Sequence, residues 1–209
     1  MLSNIAQLLK HTNRPKEAEP FYRRGLGVAE RVFVKNHPEI AIQLNNLAEF
    51  LLSSNRLEEA EPLMKRALKI DLHNYGKEHP NVAKYLSNLA LLLLTTNRLA
   101  EAEPLLHQAL EIFESTYGED HIHVATSLDN LAAFLMVTNR LDDAEPLLRR
   151  AVELHLKSIQ ATGHKHPHLY LVVEKYATLL SKMEKSKDEI LHTIEALCLN
   201  YDIPSIFNS

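Results

Sequence analysis

One spacing constrains this 209-residue chain more than any other, because the same short motifs return every 42 residues. Asn-Arg occurs four times in this register, beginning at Asn13, Asn55, Asn97 and Asn139. Ala-Glu-Pro follows each copy and Asn-(Leu/Ile)-Ala precedes each copy at a constant distance. Three independent markers that keep one period establish an array of similar structural units.

Each unit is predicted to contain two helices. In the third copy, apolar residues between positions 82 and 93 fall at steps of three and four, which is the pattern of one buried helix face. Residues 99–113 repeat that pattern for a second helix. Because no stretch shows the strict alternation of a half-buried strand, the sequence predicts an all-α fold.

Residues with special backbone preferences mark the predicted helix boundaries. The first helix is expected to begin at a proline that suits its first turn, namely Pro38, Pro80 and Pro167. It is expected to end at the repeated asparagine in a left-handed conformation. Glycine is expected to end the second helix, at Gly76, Gly118 and Gly163. Pro62 and its equivalents are expected near the first turn of the second helix, since proline breaks a helix interior.

Small residues then favour one repeat family over others with a similar period. Ala48, Ala60 and Ala67 recur in register and allow close approach of two helices, whereas armadillo and HEAT arrays share only the period of ~40–47 residues. The segment 45–83 resembles the 42-residue tetratricopeptide variant of kinesin light chains and many bacterial repeat proteins. This resemblance implies a right-handed superhelical solenoid of antiparallel helix pairs, whose first helices line a concave groove for peptides.

The resemblance covers residues 1–183, which we expect to form about four and a half units with a truncated first one. Residues 184–209 are expected to form a capping helix and a tail, with 203–207 folded back on the exposed end. Three residues inserted near position 160 shift the last copy.

Composition excludes several classes of partner. The net charge of −4 provides no basic field for nucleic acid or anionic lipid. No basic segment followed by an apolar stretch marks a signal peptide, and no apolar run approaches the ~20 residues of a membrane span. The single cysteine, Cys198, fits a reducing compartment, so a cytoplasmic location is expected. Cys198 itself is expected to be a buried small hydrophobic residue.

The candidate ligand-binding residues form a ladder of asparagines at 46, 88 and 130, with Asn4 as a fourth member. Placed by the resemblance, Asn46, Asn88 and Asn130 line the groove, where an amide offers a donor and an acceptor to a peptide backbone. In the alternative interpretation each asparagine ties adjacent helices together. The two roles are compatible, and the sequence leaves both open.

Residues beside the ladder differ between copies, as specificity requires. The preceding position carries Ser3, Asn45, Ser87 and Asp129. Further groove candidates are Glu49, Lys84 and Leu91. Their mixed charge favours neither acidic nor basic ligands.

Two other recurring residue types have simpler interpretations. The arginines at 14, 56, 98 and 140 are expected to pair with the carbonyl end of the first helix. His37, His79 and His121 are expected to be loop residues of the repeat. His164, His166 and His168 lack a neighbouring Cys, Asp or Glu to complete a zinc site, so no metal is predicted.

No phosphate loop, nucleophile elbow or paired-carboxylate motif is present, so neither an enzymatic activity nor a cofactor is predicted. The first hypothesis is a protein-interaction module that binds a peptide or partner helix in the groove. The second is the ligand-sensing region of a larger signalling NTPase whose catalytic domain lies outside this chain, a hypothesis motivated by the truncated first copy. The sequence identifies neither the partner nor the oligomeric state.

Overall fold

A computed structural model of the protein describes residues 2–12, 14–164 and 168–203. All regular secondary structure in these ranges is α-helical, which confirms the predicted fold class. The helices are α1 Leu2–His11, α2 Pro15–Val32, α3 Pro38–Ser53, α4 Leu57–Tyr75, α5 Pro80–Thr95, α6 Leu99–Tyr117, α7 Ile122–Val137, α8 Leu141–Thr162, α9 Leu169–Lys182 and α10 Lys187–Leu199.

The chain divides into two compact units, residues 1–112 and residues 113–209. In the first unit α1 packs on α2, α3 on both α2 and α4, and α4 on α5. In the second unit α8 packs on both α7 and α9, and α9 packs on α10. Because only three residues join α3 to α4 and α7 to α8, which pack on each other, each of these two repeats is an antiparallel helix pair. The predicted boundary at residue 183 falls in the turn between α9 and α10.

The repeated asparagine ends the first helix as predicted. Asn55, Asn97 and Asn139 have φ of 57°, 58° and 59°, in the left-handed region. The following arginine N–H then donates back to the helix, as in the 2.9 Å bond from Arg56 to the carbonyl of Leu51. Asparagine is used because its short polar side chain tolerates this conformation. Asn13 lies outside the described residues.

Proline and glycine fulfil most of their predicted roles. Pro38 and Pro80 are the first residues of α3 and α5, whereas Pro167 lies outside the described residues. The glycines at 76, 118 and 163 have positive φ after the second helices. The expectation for Pro62 was wrong, because it is the sixth residue of α4 rather than part of its first turn. Pro62 is solvent-exposed, so water can satisfy the backbone carbonyl that loses its intrahelical partner.

Alanine and leucine form the interior between the helices. The three small residues Ala48, Ala60 and Ala67 are fully buried, as the packing argument requires. Cys198 is also buried, as predicted. The insertion lengthens α8 to 22 residues, compared with 19 in α4 and α6. None of the described helices is long and apolar enough to cross a membrane.

Candidate functional site

The asparagine ladder connects neighbouring first helices in the first unit. Asn88 on α5 donates from Nδ2 to Asn45 Oδ1 at 2.9 Å and to Glu49 Oε1 at 2.7 Å, both on α3. Both amide hydrogens are therefore directed at the preceding repeat. The interpretation that the asparagine ties adjacent helices together holds for Asn88.

Glu49 is the centre of this polar network. Its Oε1 also accepts a 2.6 Å hydrogen bond from Asn45 Nδ2 and lies 3.4 Å from Lys84 Nζ. Several hydrogen-bond donors around one carboxylate compensate the cost of partly burying its charge. The network consequently fixes Glu49, Asn45 and Asn88 and brings Lys84 to the same patch.

The second unit contains the same relationship with charged residues. Lys175 Nζ lies 2.6 Å from both carboxylate oxygens of Asp129. After the three-residue insertion, Lys175 is the fifth-repeat equivalent of Asn88 and Asn130, and Asp129 is the equivalent of Asn45. In both units, the residue at the ladder position donates to a side chain of the preceding repeat. The acceptor is the residue immediately before that repeat's own ladder asparagine.

The predicted groove residues differ strongly in exposure. Asn45 is 1% exposed and Ser87 is 8% exposed, so the structure places both in the interior. Asn46, Asn88 and Asn130 are half-buried, whereas Lys84 and Leu91 are exposed. Asn46 and Asn130 make no side-chain hydrogen bond with any other described residue. The side chains of Ser3 and Asn4 lie outside the description.

The structure adds one apolar residue, Ile42, to the predicted Leu91. Ile42 is 40% exposed on α3, four residues before Asn46, and Leu91 is 49% exposed on α5. We call the surface formed by Ile42, Asn46, Lys84, Asn88 and Leu91 the first-helix face. The sequence contained a clue to Ile42, because it lies four residues before Asn46, just as the predicted groove residue Lys84 lies four residues before Asn88.

The arginine expectation was wrong, because the guanidinium groups bind carboxylates. Arg56 donates to Glu59 at 2.7 Å and, through Nη1, to Glu19 of the preceding repeat at 2.7 Å. Arg98 makes the same two contacts, to Glu101 and to Glu61. In both pairs, the glutamate of the Ala-Glu-Pro motif binds the arginine of the next repeat. We call these two inter-repeat ion pairs, Glu19–Arg56 and Glu61–Arg98, the arginine clasps.

These clasps change the acidity of the glutamates. The hydrogen bond from Arg56 lowers the pKa of Glu19, and hydrogen bonds from Lys65 and Arg98 lower the pKa of Glu61. Both carboxylates are therefore more readily ionised than ordinary glutamates. This electrostatic pattern is that of a structural ion-pair network.

The in-register histidines are helix N-caps. The Nδ1 atoms of His37 and His79 accept from the backbone N–H two residues later, at 3.1 Å and 3.2 Å. His37 stacks on Phe33, the C-cap residue of α2, and His79 stacks on Tyr75, the last residue of α4. The signal was available, because the residue before a first-turn proline occupies the N-cap.

No group of three or more His, Cys, Asp or Glu side chains is arranged to hold a metal ion among the described residues. Within the predicted histidine cluster, His164 Nδ1 lies 2.7 Å from the backbone carbonyl oxygen of Thr162. His166 lies outside the described residues.

Comparison with known proteins gives a consistent family match. The tetratricopeptide repeat model matches residues 1–72, 41–115 and 81–157, which together cover three quarters of the chain. No curated protein is similar enough to this chain to count as a relative.

Solved structures of kinesin-light-chain-like repeat proteins share the fold. Nearly identical TPR-like repeats from a Podosopora anserina kinesin-light-chain-type protein match with a TM-score of 0.74 and 19% identity, covering 96% of this chain and 94% of that chain. BtubC (BKLC) from P. vanneervenii matches with a TM-score of 0.77 and 21% identity, covering 100% and 83%. At these identities the likeness is evidence for the fold alone.

Proposed function

This chain belongs to the tetratricopeptide repeat family, whose members serve as protein-interaction scaffolds, and we propose that it binds a peptide or partner helix along the first-helix face. The observation that carries the proposal is the composition of that face. Exposed Ile42, Lys84 and Leu91 lie on the same two helices as Asn46 and Asn88, and Asn88 is held in place by its hydrogen bonds to α3. A rigid polar frame with variable exposed neighbours suits recognition of one polypeptide among many.

Asn88 offers such a ligand a hydrogen-bond acceptor rather than a donor. Both hydrogens of its amide are used on Asn45 and Glu49, so its Oδ1 is the atom that remains for a partner. We therefore expect Asn88 to accept a hydrogen bond from a peptide N–H. The amide of Asn46, which has no described partner, is able both to donate and to accept.

The spacing of the frame suits an extended peptide. First helices that pack ~8–10 Å apart offer one asparagine for roughly every three residues of extended chain, at ~3.3 Å per residue. Apolar ligand side chains would contact Ile42 and Leu91. Of the other predicted contact residues, Asn45 and Ser87 are buried and Asp129 is paired with Lys175, so we assign these three to positioning the helices.

The role is proposed to be binding in the cytoplasm, without catalysis or a cofactor. Neither the fold nor the family match favours the second hypothesis of a sensing region in a larger signalling NTPase.

A direct test selects peptides from a random library on the intact chain and measures their affinity for matched variants. Leu91→Asp changes the first-helix face, whereas Leu72→Asp changes a leucine that is 40% exposed on the second helix α4. We expect Leu91→Asp to weaken binding about tenfold or more, equivalent to ~1.4 kcal/mol. Leu72→Asp is expected to change the affinity little. Equal effects, or a larger effect at Leu72, would exclude the first-helix face as the binding surface.

A further inference from the structure

Asp71 is a fully buried carboxylate, and no described donor meets its oxygens in hydrogen-bond geometry, although the polar side chains of Asn81 and Tyr85 lie near it. It lies on α4, one turn before the helix ends at Tyr75. The negative end of the helix dipole makes this an unfavourable place for an anion. A buried ion without a partner is among the most costly features that a fold retains.

The surroundings of Asp71 are mainly apolar. The adjacent core cluster combines residues of α2, α3, α4 and α5, with Tyr85 as its only polar member. Its buried residues are Ala29, Ile40, Ala41, Leu44, Ala67, Ile70 and Tyr85. The buried members that α2 and α3 contribute to this cluster are all apolar.

The titratable groups that act on Asp71 are Tyr85 of α5 and His79, the N-cap residue of α5. Burial raises the pKa of Asp71, although Asn81, His79 and Tyr85 act in the opposite direction. Burial and the charge of Asp71 in turn raise the pKa of Tyr85, to which Glu49 of α3 also contributes. On α4 itself, Tyr75 stacks on His79. The balance among these groups leaves the protonated carboxyl favoured relative to an ordinary aspartate.

The repeat does not require an acid at this position. The equivalent residues in the neighbouring copies are Ala29, Phe113 and His155. Ala29 is buried and makes an apolar contact where the second copy places a carboxylate. Asp71 is therefore a feature of one helix pair and is not needed to build the fold.

We propose that the protonation state of Asp71 controls the contact between α4 and α5, which we call the joint. The two helices stay packed when the carboxyl is protonated and separate more readily when it is ionised. Because the folded-state pKa lies above the unfolded value, the stabilisation is complete at low pH and is lost as the pH rises through the folded-state pKa. Glu19 and Glu61, whose pKa values are lowered, act in the opposite sense. Neutral pH therefore loosens the joint, whereas it strengthens the ion pairs of Glu19 and Glu61.

Hydrogen exchange on the intact chain between about pH 4, near the ordinary aspartate pKa, and pH 7 tests the joint, after correction for intrinsic exchange rates. In the wild type, we expect the opening equilibrium at the end of α4 and the start of α5 to increase several-fold over this range, relative to α7 and α8. Asp71→Asn should remove that increase and protect the segment at pH 7. An unchanged pH dependence, or weaker protection at pH 7, would overturn the proposal.

Two further measurements make the result specific. Asp142→Asn neutralises an exposed carboxylate in the first turn of α8 and should leave the exchange of α4 and α5 unchanged. If it reproduced the effect of Asp71→Asn, a general charge effect would replace the proposal. Carbon-13 titration of the Asp71 carboxyl in the wild type requires no variant to fold. A midpoint above that of ordinary aspartates supports the joint, and one at or below that value overturns it.

Discussion

Lys175 Nζ lies 2.6 Å from both carboxylate oxygens of Asp129. Lys175 occupies the same position in its repeat that Asn88 occupies two repeats earlier. Asn88 uses that position to donate to Asn45, the equivalent of Asp129. The same inter-repeat contact is thus made by a neutral pair in one unit and by an ion pair in the other. The contact belongs to the architecture, while its chemistry varies between copies.

The two pairs should be interchangeable. Asp129→Asn or Lys175→Asn alone leaves a partly buried group without its partner, and each is expected to cost about 1 kcal/mol, because partial exposure reduces the value of a charge-assisted bond. The double variant recreates the Asn45–Asn88 pair and should cost less than the sum of the single changes. Urea unfolding of the four proteins measures this coupling. Additive costs would show that the two side chains do not interact.

Asn88→Ala should lower the stability of the folded chain even without a ligand. It removes two hydrogen bonds and leaves the buried Asn45 with an unpaired oxygen, so we expect a loss of roughly 1–2 kcal/mol. Asn46→Ala is the matched control, because Asn46 has no described hydrogen bond, and its effect should be small. Thermal unfolding of both variants decides the matter, and equal melting temperatures would contradict the network.

Glu184 is predicted to be a stabilising site for glycine. It has φ of 64° and takes the place that asparagine holds in the other repeats. A left-handed conformation costs a non-glycine residue ~1–2 kcal/mol, while glycine loses ~0.5–1 kcal/mol more through backbone entropy. Glu184→Gly should therefore stabilise the chain by up to about 1 kcal/mol. Glu174→Gly, in the exposed interior of α9, should destabilise it by a similar amount. Destabilisation by both changes would show that Glu184 is not strained.

Acid should weaken the arginine clasps. Because the pKa of Glu61 is lowered on folding, its contribution is present above the ordinary glutamate pKa and is lost as the pH falls through the lowered value. Glu61→Gln should therefore destabilise the chain at pH 7 by less than ~1 kcal/mol, since the pair is partly exposed, and the difference should shrink in acid. Glu111→Gln, on the exposed side of α6, serves as the control. A difference between Glu61→Gln and wild type that is independent of pH would refute this account.

The sequence predicted the helix pairs and most helix boundaries because these depend on local chemistry. Asn97 ends a helix through its own backbone preference, and Pro80 begins one through its missing N–H. The position of Pro62 was misjudged because exposure, which decides whether a lost helical bond is costly, is not visible in the local pattern.

Side-chain partners were predicted less well, because they depend on register between repeats. The carboxylates that bind Arg98 lie on the second helices of two repeats, Glu101 in its own and Glu61 in the preceding one. Variation at position 45 suggested ligand contact, but the residue is buried and serves the neighbouring helix. Asp71 could not be recognised as anomalous until its burial was known. Sequence variation alone does not distinguish a ligand contact from an inter-repeat contact.

The most direct test of the binding proposal maps a selected peptide onto the intact chain by NMR. Upon peptide addition, backbone amides of 42–49 and 84–91 and the side-chain amides of Asn46 and Asn88 should shift together and saturate at one affinity. The outer side of α4, around Lys69 and Leu72, should remain unperturbed. Shifts concentrated on the second helices, with the first-helix face unchanged, would contradict the assignment of that face as the binding surface.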